Sequence, residues 1–101
     1  MSMAEASPLE AGVIRLSEAR IGDAGLIVDV RAEVDGRGHG LALEEMQRRL
    51  LELGFVEGAR VEVLHEGLLG RDPIAVRLDD TRVALRRRDA FEVLVRLETK
   101  S

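Results

Sequence analysis

Apolar positions in the middle of the chain recur at helical spacing. Leu43, Met46, Leu50 and Leu53 follow one another at steps of three and four, which places them on one face of a helix predicted over about Leu41 to Leu53. Glu44 and Glu45 read as the acidic start of that helix, and Arg48 and Arg49 as its basic end, as the helix dipole favours. Gly54 follows the last periodic leucine, where a left-handed closing residue is cheapest as glycine. Phe55 then folds back as the hydrophobic contact of that cap. Gly58 permits a second turn, and Val61 and Val63 alternate with Arg60 and Glu62 in a half-buried strand predicted over Ala59 to His65. Helix, glycine-framed aromatic and strand form one predicted unit.

The flanking segments carry shorter patterns. Val13 to Ala19 is a short apolar lead-in, and Arg20 to Gly25 is a turn signal with Gly22 and Gly25 around Asp23. Leu26 to Val30 is the first predicted strand, dominated by apolar and β-branched residues. Arg31 to Gly40, rich in glycine and carrying His39, is a predicted mobile loop, and Glu66 to Pro73 a turn-rich connection. Ile74, Val76 and Leu78 alternate inward against Ala75 and Arg77, a turn at Asp79-Asp80-Thr81 follows, and Arg82 to Arg86 is the partner strand. Arg88 to Phe91 makes one helical turn before a closing strand from Glu92 to Leu97.

Residues 1–10 are expected to be a flexible tail, 11–98 one barrel domain, and 99–101 a frayed end. The predicted fold is mainly β: a small barrel of about five strands with one α-helix inserted after the first strand.

Composition narrows the function. A chain of 101 residues makes one domain, and without cysteine it has neither disulfides nor a thiolate metal site. No apolar run reaches the roughly 18 residues of a membrane span, and no signal peptide is present, so a soluble cytoplasmic protein without membrane insertion is expected. Net charge is −4, and the only aromatics are Phe55 and Phe91, both in apolar contexts. A nucleic-acid binder needs a basic surplus and stacking side chains, so no nucleic-acid partner is expected.

Arg86, Arg87 and Arg88 form the one basic cluster. They suit docking to an acidic face or reaching a nucleotide phosphate; alternatively they cap a solvated strand end and pair with Asp89, Glu92 or Asp80. Leu50, Leu53 and Phe55 are assigned to the barrel core. Leu51 falls off that face and is a candidate contact. His39 and His65 lie far apart, and Asp72, Asp79 and Asp80 are explained by turn chemistry, so no metal ligands are assigned. Neither a phosphate-binding loop with its lysine nor a nucleophile, base and acid at workable spacing is present. No catalytic residue or cofactor is assigned, and the protein is expected not to be an enzyme.

The succession of these pieces resembles the FeoA family, ferrous iron transport protein A, over nearly all of Leu16 to Leu97. The likeness rests on Leu16-Ser17-Glu18-Ala19 before Gly22 and Gly25, on Arg49-Leu50-Leu51-Glu52-Leu53-Gly54-Phe55 with Gly58-Ala59-Arg60-Val61, and on Gly70-Arg71-Asp72-Pro73-Ile74 with Val83 to Ala90. Two features depart from the family: Arg71 separates Gly70 from Asp72, and the Arg31 to Gly40 loop is long.

The resemblance implies an SH3-like β-barrel with the helix packed over it. It also implies a cytosolic partner of FeoB, the membrane ferrous iron transporter with an N-terminal GTPase domain. The same module ends iron- and manganese-responsive repressors, so a regulator or nucleic-acid-binding module is the alternative. Because 101 residues leave no room for those repressors' other domains, the stand-alone protein is expected. Its expected role is a small accessory protein of bacterial ferrous iron uptake that modulates FeoB's GTPase or transport cycle. Leu51, Arg86, Arg87 and Arg88 are the expected contacts; the sequence sets no oligomeric state.

Overall fold

The computed structural model describes residues 12–30 and 40–98, with side chains for all of these but 40–43. Six strands hydrogen-bond into one antiparallel sheet: β1 Val13–Arg15, β2 Ala24–Val30, β3 Arg60–Leu69, β4 Asp72–Leu78, β5 Thr81–Leu85 and β6 Val93–Leu97. Their order across the sheet is β1-β6-β2-β3-β4-β5, so β1 and β5 are its edges. Helix α1 (Gly40–Leu53) links β2 to β3, a 3₁₀ turn (Leu16–Glu18) follows β1, and the short helix α2 (Arg87–Ala90) links β5 to β6. The expected tail 1–10, the frayed end 99–101 and the loop from Arg31 with His39 lie outside the described residues.

The helix end forms as its residues dictate. Gly54 takes φ 111°, its N–H donates to Leu51 O at 3.0 Å, and the N–H of Phe55 donates to Leu50 O at 3.0 Å. These bonds satisfy two carbonyls that the last turn leaves open, in the Schellman arrangement. Phe55 at 0 % and Leu50 at 2 % exposure then enter the same core as Ile27, Val61, Ile74 and Val76. Gln47 donates its side-chain N–H to Val30 O at 3.0 Å, tying the middle of α1 to the end of β2.

Leu53, assigned to the core, is instead 43 % exposed and lines an open groove. With Leu50 and Phe55 filling the site beneath the helix end, its last residue is left outside. The dipole reading also changes. Because α1 begins at Gly40, Glu44 and Glu45 lie beyond the first turn, and Arg48 and Arg49 precede the last.

The strands differ from expectation where pairing partners are remote. β1 has only three residues, too few for a period to show, and is defined by its ladder to β6, Val13 opposite Arg96 and Arg15 opposite Leu94. The sheet therefore has six strands, and the helix follows the second.

The connection predicted from Glu66 to Pro73 is mostly strand. Only Gly70 and Arg71, at φ 69° and 59°, turn the chain, and positive φ at both central residues matches the twist of a tight hairpin. Arg71 is thus the second turn residue. Gly67 lies inside β3, where a Cβ would sit 2.0 Å from Asp72 O, so close strand approach explains this glycine. The inward assignment of Ile74, Val76 and Leu78 holds at 0, 0 and 3 % exposure. At the next turn Asp79 supplies the left-handed residue, φ 53°. Phe91, placed by its sequence in an apolar context, is 41 % exposed, with the Arg15 guanidinium 4.0 Å above its ring.

Gly54→Val tests the helix end: it forces a β-branched residue to positive φ and sets a Cβ 3.2 Å from Leu78 Cδ2. A loss of roughly 1–3 kcal/mol in urea unfolding is expected. An unchanged midpoint removes the cap assignment. Phe55→Ala empties the centre of the core and is expected to cost about 3–5 kcal/mol by the same measurement.

Candidate functional site

The arginine triplet divides where α2 begins. A helical turn sends successive side chains in different directions, about 100° apart. Arg87 is the one turned inward: its side chain is 16 % exposed and lies against Glu66, itself 19 % exposed. Its Nη2 donates to Glu66 Oε1 at 2.6 Å, Nε to Arg71 O at 2.5 Å, and Nη1 to Ser17 O. Glu66 Oε1 also receives Arg71 Nε at 3.1 Å. Asp72 Oδ1 accepts the Arg87 backbone N–H at 2.9 Å, capping α2 from β4 because Arg86 offers no side-chain cap.

The partner of Arg87 is therefore Glu66, where the sequence suggested Asp89, Glu92 or Asp80. Glu66 fell in a predicted connection, and only the β3–β4 hairpin brings it near. Asp72, read as a turn residue, is a helix cap.

Arg86 and Arg88 face the other way, onto a groove of about 280 Å³ between α1 and the β5–α2 corner. Met46, Leu50 and Leu53 form its helix wall, Ala84 and Leu85 its sheet wall, and Arg49, Arg86, Arg88 and Asp89 its mouth. Arg49, Arg82, Arg86 and Arg88 are all exposed, and none has an ion pair among the described residues. Leu51 is 43 % exposed on α1 but outside the groove lining.

Of the four expected contacts, the fold brings Arg86 and Arg88 together, turns Arg87 inward, and leaves Leu51 apart. It adds Arg49, read earlier as a dipole partner, while Arg82, read as an ordinary strand residue, is exposed on β5 outside the groove lining. The i, i+3 spacing of Met46 and Arg49 was the available signal that both face one side.

His65 is exposed on β3, and among the described residues no three His, Asp or Glu side chains converge to hold a metal. No helix among them is long and apolar enough to cross a membrane. At the opposite end of β3, Glu98 accepts from Arg60 Nε and Nη2 at 2.6 and 3.1 Å. That fork raises the guanidinium pKa above its usual value.

With this geometry in place, the chain can be set beside known proteins. The FeoA domain family matches residues 1–97. An Fe(2+) transport protein A/Fe(2+) transporter FeoB fusion protein of Porphyromonas gingivalis (strain ATCC BAA-308 / W83) is 40 % identical over 84 residues, 83 % of this chain. The chain spans 9 % of that fusion's length.

Among solved structures, Stenotrophomonas maltophilia FeoA in complex with zinc, a prokaryotic SH3 domain protein, aligns at TM-score 0.66 and 30 % identity. The match covers 87 % of this chain and 99 % of that one. FeoA from Chlorobium tepidum aligns at 0.64 and 31 %, over 87 % and 74 % of the two chains. A manganese-dependent transcriptional repressor shares the fold alone, at TM-score 0.66 and 22 % identity, over 85 % of this chain and 42 % of that one. The bent six-stranded sheet is an SH3-like β-barrel.

The divided triplet predicts divided mutational effects. Arg87→Ala leaves Glu66 without its closest cation and is expected to cost about 2–3 kcal/mol, below the range for a fully buried pair. Arg86→Ala and Arg88→Ala, both at exposed positions, are expected to stay within about 0.5 kcal/mol of the parent. Thermal and urea unfolding of the three variants measure both; equal losses at all three positions contradict the division.

Proposed function

This chain belongs to the FeoA family, and from that premise we propose that it binds the cytosolic GTPase region of a FeoB-type iron transporter and modulates its GTPase or transport cycle. The family is a transport-associated SH3-like domain and not a known enzyme family. The observation that carries the proposal is the fusion relative, in which a segment 40 % identical to this chain shares one polypeptide with FeoB. Covalent joining raises the effective concentration of two modules into the millimolar range, which serves modules that contact each other. The domain reaches the transporter by a surface of its own, in the cytoplasm where the GTPase region lies.

The groove mouth with Arg49, Arg86 and Arg88 is the proposed contact, with exposed Leu51 on α1 as a separate, second contact. Exposed guanidiniums steer an acidic partner and hold it in register. Arg87 supports this surface from behind and is not itself a contact, because its donors are committed to Glu66, Arg71 and Ser17. Modulation follows when this surface touches one conformation of the GTPase better than another. The equilibrium then shifts by the difference in affinity.

Titration of the ¹⁵N-labelled protein with the soluble GTPase domain of its transporter, in GDP and in a GTP analogue, tests the proposal. Saturable amide shifts on α1 and the β5–α2 corner are expected, with different affinities in the two nucleotide states. Arg86→Glu combined with Arg88→Glu is expected to weaken binding about tenfold or more, equivalent to roughly 1.4 kcal/mol. No shift in either nucleotide state overturns the GTPase-region contact.

A further inference from the structure

We infer that the outer edge of β5 and the groove beside it receive an extended acidic segment of a partner protein, which joins the sheet as an added strand. The inference deepens the association proposed above and rests on it for the partner; the surface is argued from geometry.

β5 is the last strand of the sheet. β4 holds one side, and among the described residues no strand pairs with the other. The two-residue turn Asp79-Asp80 makes Leu78 and Thr81 a hydrogen-bonded pair. Bonding to β4 then recurs at Val83 and Leu85, and Arg82 and Ala84 turn their backbone N–H and C=O groups outward. Both residues are exposed. Such a row of free backbone groups is a template for strand addition.

The space beside this edge suits a strand. A neighbour would lie about 4.8 Å from β5, with alternate side chains on opposite faces. Ala84 and Leu85 border the groove on the sheet side, while Met46 and Leu53 present apolar surface from α1. Small apolar side chains of an added strand would cover Leu53, a leucine that the fold itself leaves 43 % exposed.

Charge selects the occupant. Arg82 lies on the edge and Arg86 at its end, with Arg88 and Arg49 around the groove; the acids facing the same opening are Asp89 and Glu45. A local cationic surplus in a chain of net charge −4 favours carboxylates at alternate positions of the incoming segment. Charged side chains also protect strand edges from self-pairing, which accounts for Arg82 and Arg86. It does not account for Arg49 on the facing helix or for exposed Leu53. A second copy pairing β5 to β5 would bring Arg82 and Arg86 of both copies along one short seam, where like charges oppose it.

The test uses the intact ¹⁵N-labelled protein and a blocked peptide of alternating valine and glutamate, with the valine–lysine peptide as control. Saturable shifts are expected on Arg82 to Arg86 and on Met46 to Leu53, with amide exchange at Arg82 and Ala84 slowed about tenfold. Ala84→Pro removes an outward donor at an edge position that tolerates proline, and is expected to abolish those shifts while leaving the remaining spectrum in place. Should that variant fail to fold, Arg86→Glu with Arg88→Glu reads the charge requirement by itself, as at least tenfold weaker binding.

The inference is overturned by no shift at millimolar peptide, by equal binding of the lysine peptide, or by shifts confined to another surface such as the Leu68-Leu69 hairpin tip. The peptide contains no transporter sequence, so its failure leaves the FeoB association standing. Binding of the peptide with no response to the GTPase domain leaves this surface and removes that association.

Discussion

The Arg87 guanidinium spans the gap that this sheet leaves between its edges. β1 and β5 stand at opposite ends of the strand order, and the 3₁₀ turn after β1 and α2 after β5 come together across that opening. From α2, Arg87 bonds Ser17 O on one side and Glu66 and Arg71 O on the other, so three stretches far apart in sequence share one side chain. A planar cation with five donors suits that task, because each carbonyl and carboxylate needs a donor in a different direction. The same anchoring sets α2 so that Arg86 and Arg88 point away toward the groove. Interior order and outer surface therefore meet at one residue, whose neighbours Arg86 and Arg88 both face the side opposite to it.

The helix end imposes the complementary constraint from across the groove. Once Gly54 turns left-handed and Phe55 enters the core, the last turn of α1 is fixed over the sheet. Leu50 is then buried and Leu53 is held out. The groove is the space between that fixed helix end and the β5–α2 corner. Its walls are apolar because Leu50, Leu53 and Leu85 line them, and its mouth has a cationic surplus because Arg49, Arg86 and Arg88 outnumber Asp89 there. The exposed lining of this groove is thus built from what the core did not absorb.

Specificity within an SH3-like barrel lies in such leftovers, since the fold by itself serves unrelated functions. The repressor with the same fold at 22 % identity illustrates the point. What aligns this chain with iron transport is its family membership and the relative joined to FeoB.

The amino-acid sequence by itself determined the elements whose free energy is local. The spacing of Met46 and Leu50, the Gly54-Phe55 cap, the alternation of Ile74, Val76 and Leu78, and the turn at Asp79 each depend on residues within a few positions, and all were legible there. The order of these pieces also carried the family resemblance. Tertiary structure alone decided what depends on remote partners. β1 exists because β6 offers it a ladder, and Gly67 is glycine because Asp72 passes 2.0 Å from where a Cβ would sit. Arg87 is internal because the hairpin delivers Glu66 from 21 positions away, and Leu53 is external because Phe55 took the space below. A one-dimensional pattern records which side chains prefer burial, but only the packed fold assigns the limited interior among them.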